Sequence, residues 1–172
     1  MTFADIIYTH ELAAHNADIE NLHATAFGPA RYTRAVFFVR QDGPHDLSLS
    51  FVAIANENII GSIRMTPIAI GSARALLLGP IVVCPDYRNA GVGSKLMNTA
   101  LNAAQKARHQ LIILVGDKSY YRRFDFKGIP AGKIVMPAPV NPDRLLAREL
   151  AEGALQPATG IVRHINCVRQ PH

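Results

Sequence analysis

Tryptophan is absent from this 172-residue chain, cysteine occurs twice, and charged residues make up only 18% of it. Each shortage excludes something. Cys84 and Cys167 stand far apart, with no CxxC pair and no histidine at metal-ligand spacing, so neither a metal site nor a disulfide framework is expected. Two buried free thiols are the expectation. The seven histidines are scattered singly and read as surface or packing residues. No apolar run approaches the roughly 18 residues that span a bilayer. The first fifteen residues carry Asp5, His10, Glu11 and His15, and no basic stretch precedes an apolar one, so a secretory leader is not expected. A soluble, cytoplasmic protein without a membrane partner follows. No DNA- or RNA-binding motif is present, so nucleic acid is not an expected partner either.

About half of the positions are hydrophobic, enough to bury one sizeable core and too few residues for two, so residues 1–172 are expected to form one domain. The net charge of +5 is not evenly spread: residues 86–133 hold nine Lys/Arg against three Asp. A positive excess concentrated around a glycine turn suggests a polyanionic ligand drawn in by the field of that segment.

Periodicity sketches the elements. Residues 3–8 read as a short strand, and 11–27 as a helix with Leu12, Ile19, Leu22, His23 and Ala26 at near-helical spacing, stopped by Gly28-Pro29. A second short helix is expected over 31–40 and a turn over 41–46. Strands then follow at 47–55 (alternating on Leu47, Leu49, Phe51 and Ala53), 59–70 and 75–84, joined by the short turns Asn56-Glu57-Asn58 and Gly71-Ser72. Such connections make an antiparallel meander. The clearest helix covers 92–109, and the apolar run 111–115 reads as a strand buried on both faces. A short helix is expected over 119–124. Residues 145–150 have helix propensity, and 161–168 read as a strand in need of a partner, the two closing the chain as a terminal pair. The fold class is α+β, with a mixed, mostly antiparallel sheet flanked by helices.

The central motif is strand, then Arg88-Asn89-Ala90-Gly91-Val92-Gly93-Ser94, then the long helix. A helix N-terminus leaves backbone N–H groups without intrahelical partners and carries a partial positive charge, so it receives phosphate. Glycines at 91 and 93 let an anion approach closely. The spacing fits neither a dinucleotide-binding fingerprint nor a phosphate loop with its lysine. Upstream, Gly79-Pro80 interrupts the strand, because proline cannot donate to a ladder. A bulge there would free backbone groups of Ile81, Val82 and Val83 to pair with an amide-bearing ligand arm, as in strand addition.

The segments L-L-L-G-P-I-V-V-C-P-D-Y-R-N-A-G-V-G-S-K-L-M and L-I-I-L-V-G-D-K-S-Y-Y-R-R-F-D-F resemble the GCN5-related N-acetyltransferase superfamily, most strongly over residues 76–126. The resemblance implies its acyl-CoA fold and an acetyl-CoA cosubstrate without a metal. It implies backbone contacts from Ile81, Val82 and Val83 to the pantetheine and acetyl groups. It also implies a pyrophosphate wrap by Arg88, Asn89, Ala90, Gly91, Val92, Gly93 and Ser94, with Tyr120 and Phe124 completing the cofactor contacts. The strands at 81 and 111 are expected to splay, and 145–150 to be a strand despite its propensity.

The same resemblance places a catalytic tyrosine at Tyr121, meeting the departing thiolate while a primary amine attacks the acetyl carbonyl directly in a ternary complex. Tyr120 is the adjacent candidate. Asp125 stands where the family has glycine. A main-chain N–H near Val82 or Val83 would meet the oxyanion. Glu57, His45 and Asp46 are candidate bases that no spacing singles out. The alternative function is a non-catalytic acyl-CoA-binding or regulatory module of the same fold. The acceptor, small molecule or protein amine, is open, as is oligomeric state, with a homodimer among the options.

Overall fold

The computed structural model describes residues 5–168. Among the described residues, nine strands form one mixed sheet. β1 (Ile7–His10), β2 (Phe51–Ala55), β3 (Asn58–Ile70) and β4 (Ala73–Val83) run as an antiparallel meander. β5 (Leu111–Val115) lies parallel to β4, and β8 (Leu145–Glu149) pairs antiparallel with β5. The two-residue strands β6 (Lys127–Gly128) and β7 (Ile134–Val135) attach to β8 and to β9 (Gly160–His164), and β9 pairs with the far end of β3. Helices α1 (Asn16–Phe27), α2 (Ala35–Gln41), α3 (Val92–Lys106) and the single-turn α4 (Lys118–Tyr121) flank the sheet.

Hydrophobic cores lie on both faces. Leu76 and Leu78 of β4 and Ile112 and Leu114 of β5 join Leu96, Met97, Ala100 and Ala104 of α3 in one core. Their neighbours Ala75, Leu77, Leu111 and Ile113 point the other way, to a second core with Val39 of α2. This alternation explains why 111–115 is an unbroken apolar run. α1 ends as expected at Gly28, whose φ of +62° closes the helix with an N–H to the Ala24 carbonyl, 3.0 Å. At the β2–β3 turn, Asn56 and Glu57 both take positive φ, +48° and +65°, the twist that a tight hairpin requires.

Several expectations are corrected. The first strand begins at Ile7, and the start of the 3–8 expectation lies outside the described residues. Residues 13–15 form a 3₁₀ turn before α1 begins at Asn16, and another, Pro29–Thr33, precedes α2. The 47–55 strand is shorter than its alternation suggested. The Asp46 carboxylate accepts from Ser48 N at 2.9 Å and winds Leu47–Leu49 into a 3₁₀ turn, leaving Leu47 exposed. The long helix stops at Lys106 rather than 109. β8 and β9 do not pair with each other, since β5 and β3 claim them separately. Cys84 is partly buried and Cys167 exposed; both are free, but neither is the buried thiol expected.

Candidate functional site

The site begins where β4 loses β5. The two strands pair at Leu76–Ile112 and Leu77–Ile113 and no further. Just beyond, the register of β3 against β4 jumps. Ile63 faces Ile81 and Met65 faces Leu78, so Gly79 and Pro80 together oppose Arg64 alone. This is a bulge of two residues against one. Gly79 takes φ +127°, which only glycine adopts freely, and the Gly79–Pro80 peptide is cis. Past the bulge, β4 stays paired with β3 but not with β5, and a gap lies between β4 and β5.

Backbone parity decides which groups face that gap. Cys84 N donates to the Ile60 carbonyl at 2.7 Å. Hydrogen-bonded and non-hydrogen-bonded pairs alternate along an antiparallel ladder, so Val82–Ser62 is the next bonded pair. Ile81 and Val83 therefore turn their N–H and C=O groups away from β3, toward the gap. Val82 spends its backbone on the ladder, and its side chain is buried.

The glycine turn lies at the end of the same strand. Asn89 and Gly91 have φ of +68° and +77°, and Gly91 is the N-cap of α3 without a side-chain cap. The first N–H to bond inward is that of Lys95, to the Gly91 carbonyl at 3.0 Å, so those of Val92, Gly93 and Ser94 open the helix. Arg88, Asn89 and Gly91 are exposed and Val92 is buried in the α3 core, while Ala90, Gly93 and Ser94 are half-buried. A Cβ on Gly93 would lie 3.4 Å from the Tyr120 hydroxyl and 3.8 Å from Val83. Tyr120 thus stands between turn and gap, held by Arg123, whose guanidinium stacks 4.5 Å above its ring and donates to its carbonyl.

Tyr121 leans the other way. Its ring lies so close to Gly116 that any Cβ there would collide with it, which accounts for the glycine of the V-G-D segment. Asp117 caps α4, accepting from Ser119 Oγ at 2.9 Å and from Ser119 N at 3.0 Å, and these bonds, the hydroxyl's first, hold its carboxyl below the usual range. Burial, then Tyr120 and Asp117, push the Tyr121 phenol up to about 12 against the opposing charge of Arg144. Asp125 takes the left-handed φ of +63° that glycine would favour, a conformation aspartate tolerates. The turn closes with Asp125 N on the Arg122 carbonyl at 3.1 Å, so the departure from glycine leaves the tyrosine seated. Phe124 stays in the core behind Tyr120, ring centroids 5.8 Å apart, and does not reach the gap.

A cavity of about 610 Å³ opens at the gap, with Gly79, Pro80, Ile81, Tyr120 and Tyr121 on its inner wall. Its outer wall comes from α1, the turn after it and α2, including Glu20, His23, Arg34 and Arg40, with Arg144 contributing from the segment before β8. None of the candidate bases reaches it. His45 is held by Glu11 at 2.9 Å, Asp46 is spent on its cap, and Glu57 sits at the hairpin turn. The ionisable groups missed in the sequence are Glu20 and His23 on α1. Burial, then the charge of Arg64, lowers the His23 imidazole to about 4, so it is neutral at pH 7. Among the described residues, no group of three His, Cys, Asp or Glu side chains could hold a metal ion.

A family model described as "Acetyltransferase (GNAT) domain" matches residues 46–128, the stretch from the meander through the glycine turn to the tyrosine pair. That match, with the relatives that follow, supports the GCN5-related N-acetyltransferase superfamily for this chain. Among GNAT relatives, the Escherichia coli protein named uncharacterized N-acetyltransferase YjhQ is 26% identical over 161 residues, covering 88% of this chain and 86% of that one. The crystal structure of Escherichia coli YhbS in complex with CoA superposes with TM-score 0.79 at 22% identity, over 95% of this chain and 91% of that one. A GNAT acetyltransferase from Brucella melitensis, solved with acetyl-CoA, superposes with TM-score 0.62 at 27% identity, over 87% of this chain and 97% of that one.

Proposed function

We propose that this GNAT domain, spanning residues 1–172, transfers the acetyl group of acetyl-CoA to an amine in the cytoplasm, and that the gap between β4 and β5 is where the thioester lies. The observation that carries this reading is the ladder parity past the bulge. Ile81 and Val83 offer unpaired N–H and C=O groups to an arm rich in amides, and the α3 N-terminus stands at the end of the same strand. Pantetheine supplies the amides, and its pyrophosphate suits the N–H groups of Val92, Gly93 and Ser94. The acetyl-CoA held by the Brucella melitensis relative supports the same assignment.

On this reading the amine attacks the acetyl carbon, the carbonyl oxygen gains charge, and the C–S bond breaks as that charge collapses. Main-chain N–H groups turned to the gap, from Ile81 or Val83, are fixed dipoles for the oxyanion. Tyr121 meets the leaving sulfur. With a phenol at about 12 against a thiol near 8.5, complete proton transfer from Tyr121 to thiolate is uphill by roughly 5 kcal/mol. Tyr121 therefore acts as a hydrogen-bond donor to developing thiolate, and the proton released by the amine is the one that finally neutralises the sulfur.

Thermal unfolding with acetyl-CoA, CoA, NAD and ATP in parallel tests the assignment. A ligand at 100 times its Kd adds about 2.7 kcal/mol, a shift of several degrees at this chain length. A shift confined to the two CoA ligands is expected, and none with either would remove the reading. Tyr121→Phe should lower kcat about 100-fold or more, with acetyl-CoA affinity nearly unchanged. Turnover equal to wild type would show that the phenol does not assist departure.

A further inference from the structure

The cavity lining carries four arginines, Arg31, Arg34, Arg40 and Arg144, against two acids, Glu20 and Asp117, and both acids are already engaged. Glu20 accepts from Arg64 Nη1 at 3.1 Å, and Asp117 accepts from Ser119 N and Oγ at 3.0 and 2.9 Å. The cations differ in how far they are satisfied. Arg31 donates from its two terminal nitrogens to the Gly28 carbonyl and the Tyr32 hydroxyl, while its buried Nε has no partner among the described residues. Arg34 stacks 4.6 Å over the Phe27 ring, which leaves its N–H edges open. Arg40 is partly buried on the cavity wall, yet among the described residues it makes no hydrogen bond or ion pair. Burial, then the nearby charge of Arg64, lowers it to about 10 against the attraction of Glu20 and Glu11, so it remains charged at neutral pH.

A partly buried guanidinium normally finds a carboxylate, a carbonyl or a phosphate, because its desolvation is otherwise uncompensated. Building on the acetyltransferase reading, we infer that the acceptor is a small amine carrying its own anionic group, a carboxylate or a phosphate, received by Arg40 with Arg34 beside it. The anion would anchor on α2 and the turn before it, with the amine directed inward to the thioester at the β4 bulge. Phe27 and Phe37 line the same cavity and give the body of such a molecule an apolar surface between the two ends. The volume of about 610 Å³ is that of a small-molecule site, and it must also admit the acetyl end of the cosubstrate. Polyamines, cationic at every nitrogen, would meet like charge.

The test is an acceptor panel with purified protein, reading CoA thiol release. It compares aminocarboxylates and aminoalkyl phosphates of two to six carbons with the matching uncharged amines and with spermidine. Expected is a kcat/KM at least about 10-fold higher for an anionic amine than for its uncharged match. Carboxylate and phosphate arms distinguish the two anions. Arg40→Gln should raise KM for the preferred anionic amine about 10- to 100-fold, leave KM for the uncharged match unchanged, and so erase the preference. Arg40→Lys, which keeps the charge without the fork, should retain part of it, and this guards against a folding defect in the glutamine variant. The acetyl-CoA thermal shift is recorded on the same samples. A normal shift with equal or better turnover of uncharged amines or spermidine overturns the inference alone, while loss of the shift in wild type overturns the transferase reading beneath it.

Discussion

Gly93→Glu is expected to weaken acetyl-CoA binding by about 100-fold or more while leaving the protein folded, because like charge brought into an anion site costs several kcal/mol. The position separates function from stability. Gly93 lies in the first turn of α3 with helical backbone, and its Cβ would meet only the Tyr120 hydroxyl at 3.4 Å and Val83 at 3.8 Å, both ordinary contacts. A residue with a side chain is a better helix former than glycine by about 0.5–1 kcal/mol, and a carboxylate in the first turn suits the helix dipole. The variant should therefore melt at or above the wild-type temperature. The same carboxylate faces the N–H groups proposed for the pyrophosphate, and it reaches toward Val83 and Tyr120, where the arm enters the gap. Gly93→Gln is the matched neutral control and should lose less. Calorimetry giving wild-type affinity for Gly93→Glu would move the pyrophosphate away from the α3 N-terminus.

The parts of the site legible in the sequence are those that the chain makes locally. The glycine turn, the Gly79-Pro80 interruption and the Y-Y-R-R-F-D-F segment each lie within a few consecutive residues, so motif and spacing expose them. The outer wall is different. Glu20, His23 and Arg40 are separated in sequence and come together only because α1 and α2 cross the same face of the sheet. One signal was available: Arg64 is the single charged residue in the apolar strand I-I-G-S-I-R-M-T-P-I-A-I, and a charge in a buried strand demands partners from elsewhere. In the fold, local propensity lost where tertiary pairing competed with it. Residues 145–149 favour a helix by composition, yet they bridge β5 and β6 as a strand, as the family resemblance implied. β6 and β7, two residues each, are too short for any periodicity to register.

Arg64 leads to the largest expected effect on stability. Its guanidinium is fully buried, opposite the β4 bulge, and its Nε and Nη2 donate to the two Glu11 oxygens at 3.1 and 2.8 Å. Nη2 also donates to Asn16 at 3.0 Å and Nη1 to Glu20 at 3.1 Å. Glu11, 2% exposed, is thereby clamped between Arg64 and His45. Glu11→Ala leaves a buried guanidinium without its bidentate partner, which costs about 3–5 kcal/mol, or roughly 10 °C in Tm for a chain of this length. The pair itself is not the source of that whole figure. Replacing both partners by apolar residues, Glu11→Leu with Arg64→Met, should recover most of the loss, because neither charge then has to be desolvated. The pH dependence separates Glu11 from its surroundings. Burial alone would raise its carboxyl, but hydrogen bonds from His45 and Arg64, with the Arg64 charge, hold it at about 2 against 4.5 unfolded. A depressed carboxyl stabilises above the unfolded value, so Glu11 contributes roughly 3 kcal/mol at neutral pH, lost as pH falls from 4.5 toward 2. His23 acts in the window above. Its imidazole, at about 4 folded against 6.5 unfolded, lets the unfolded state take up protons first, so stability already falls between pH 6.5 and 4. Urea titrations at pH 7, 5.5, 4 and 3 should then show two successive losses in the wild type. In Glu11→Ala the upper loss should persist and the lower one shrink. An unchanged lower limb, or a Glu11→Ala cost below about 1 kcal/mol at pH 7, would mean that the Arg64 charge is satisfied by Glu20 and Asn16 without Glu11.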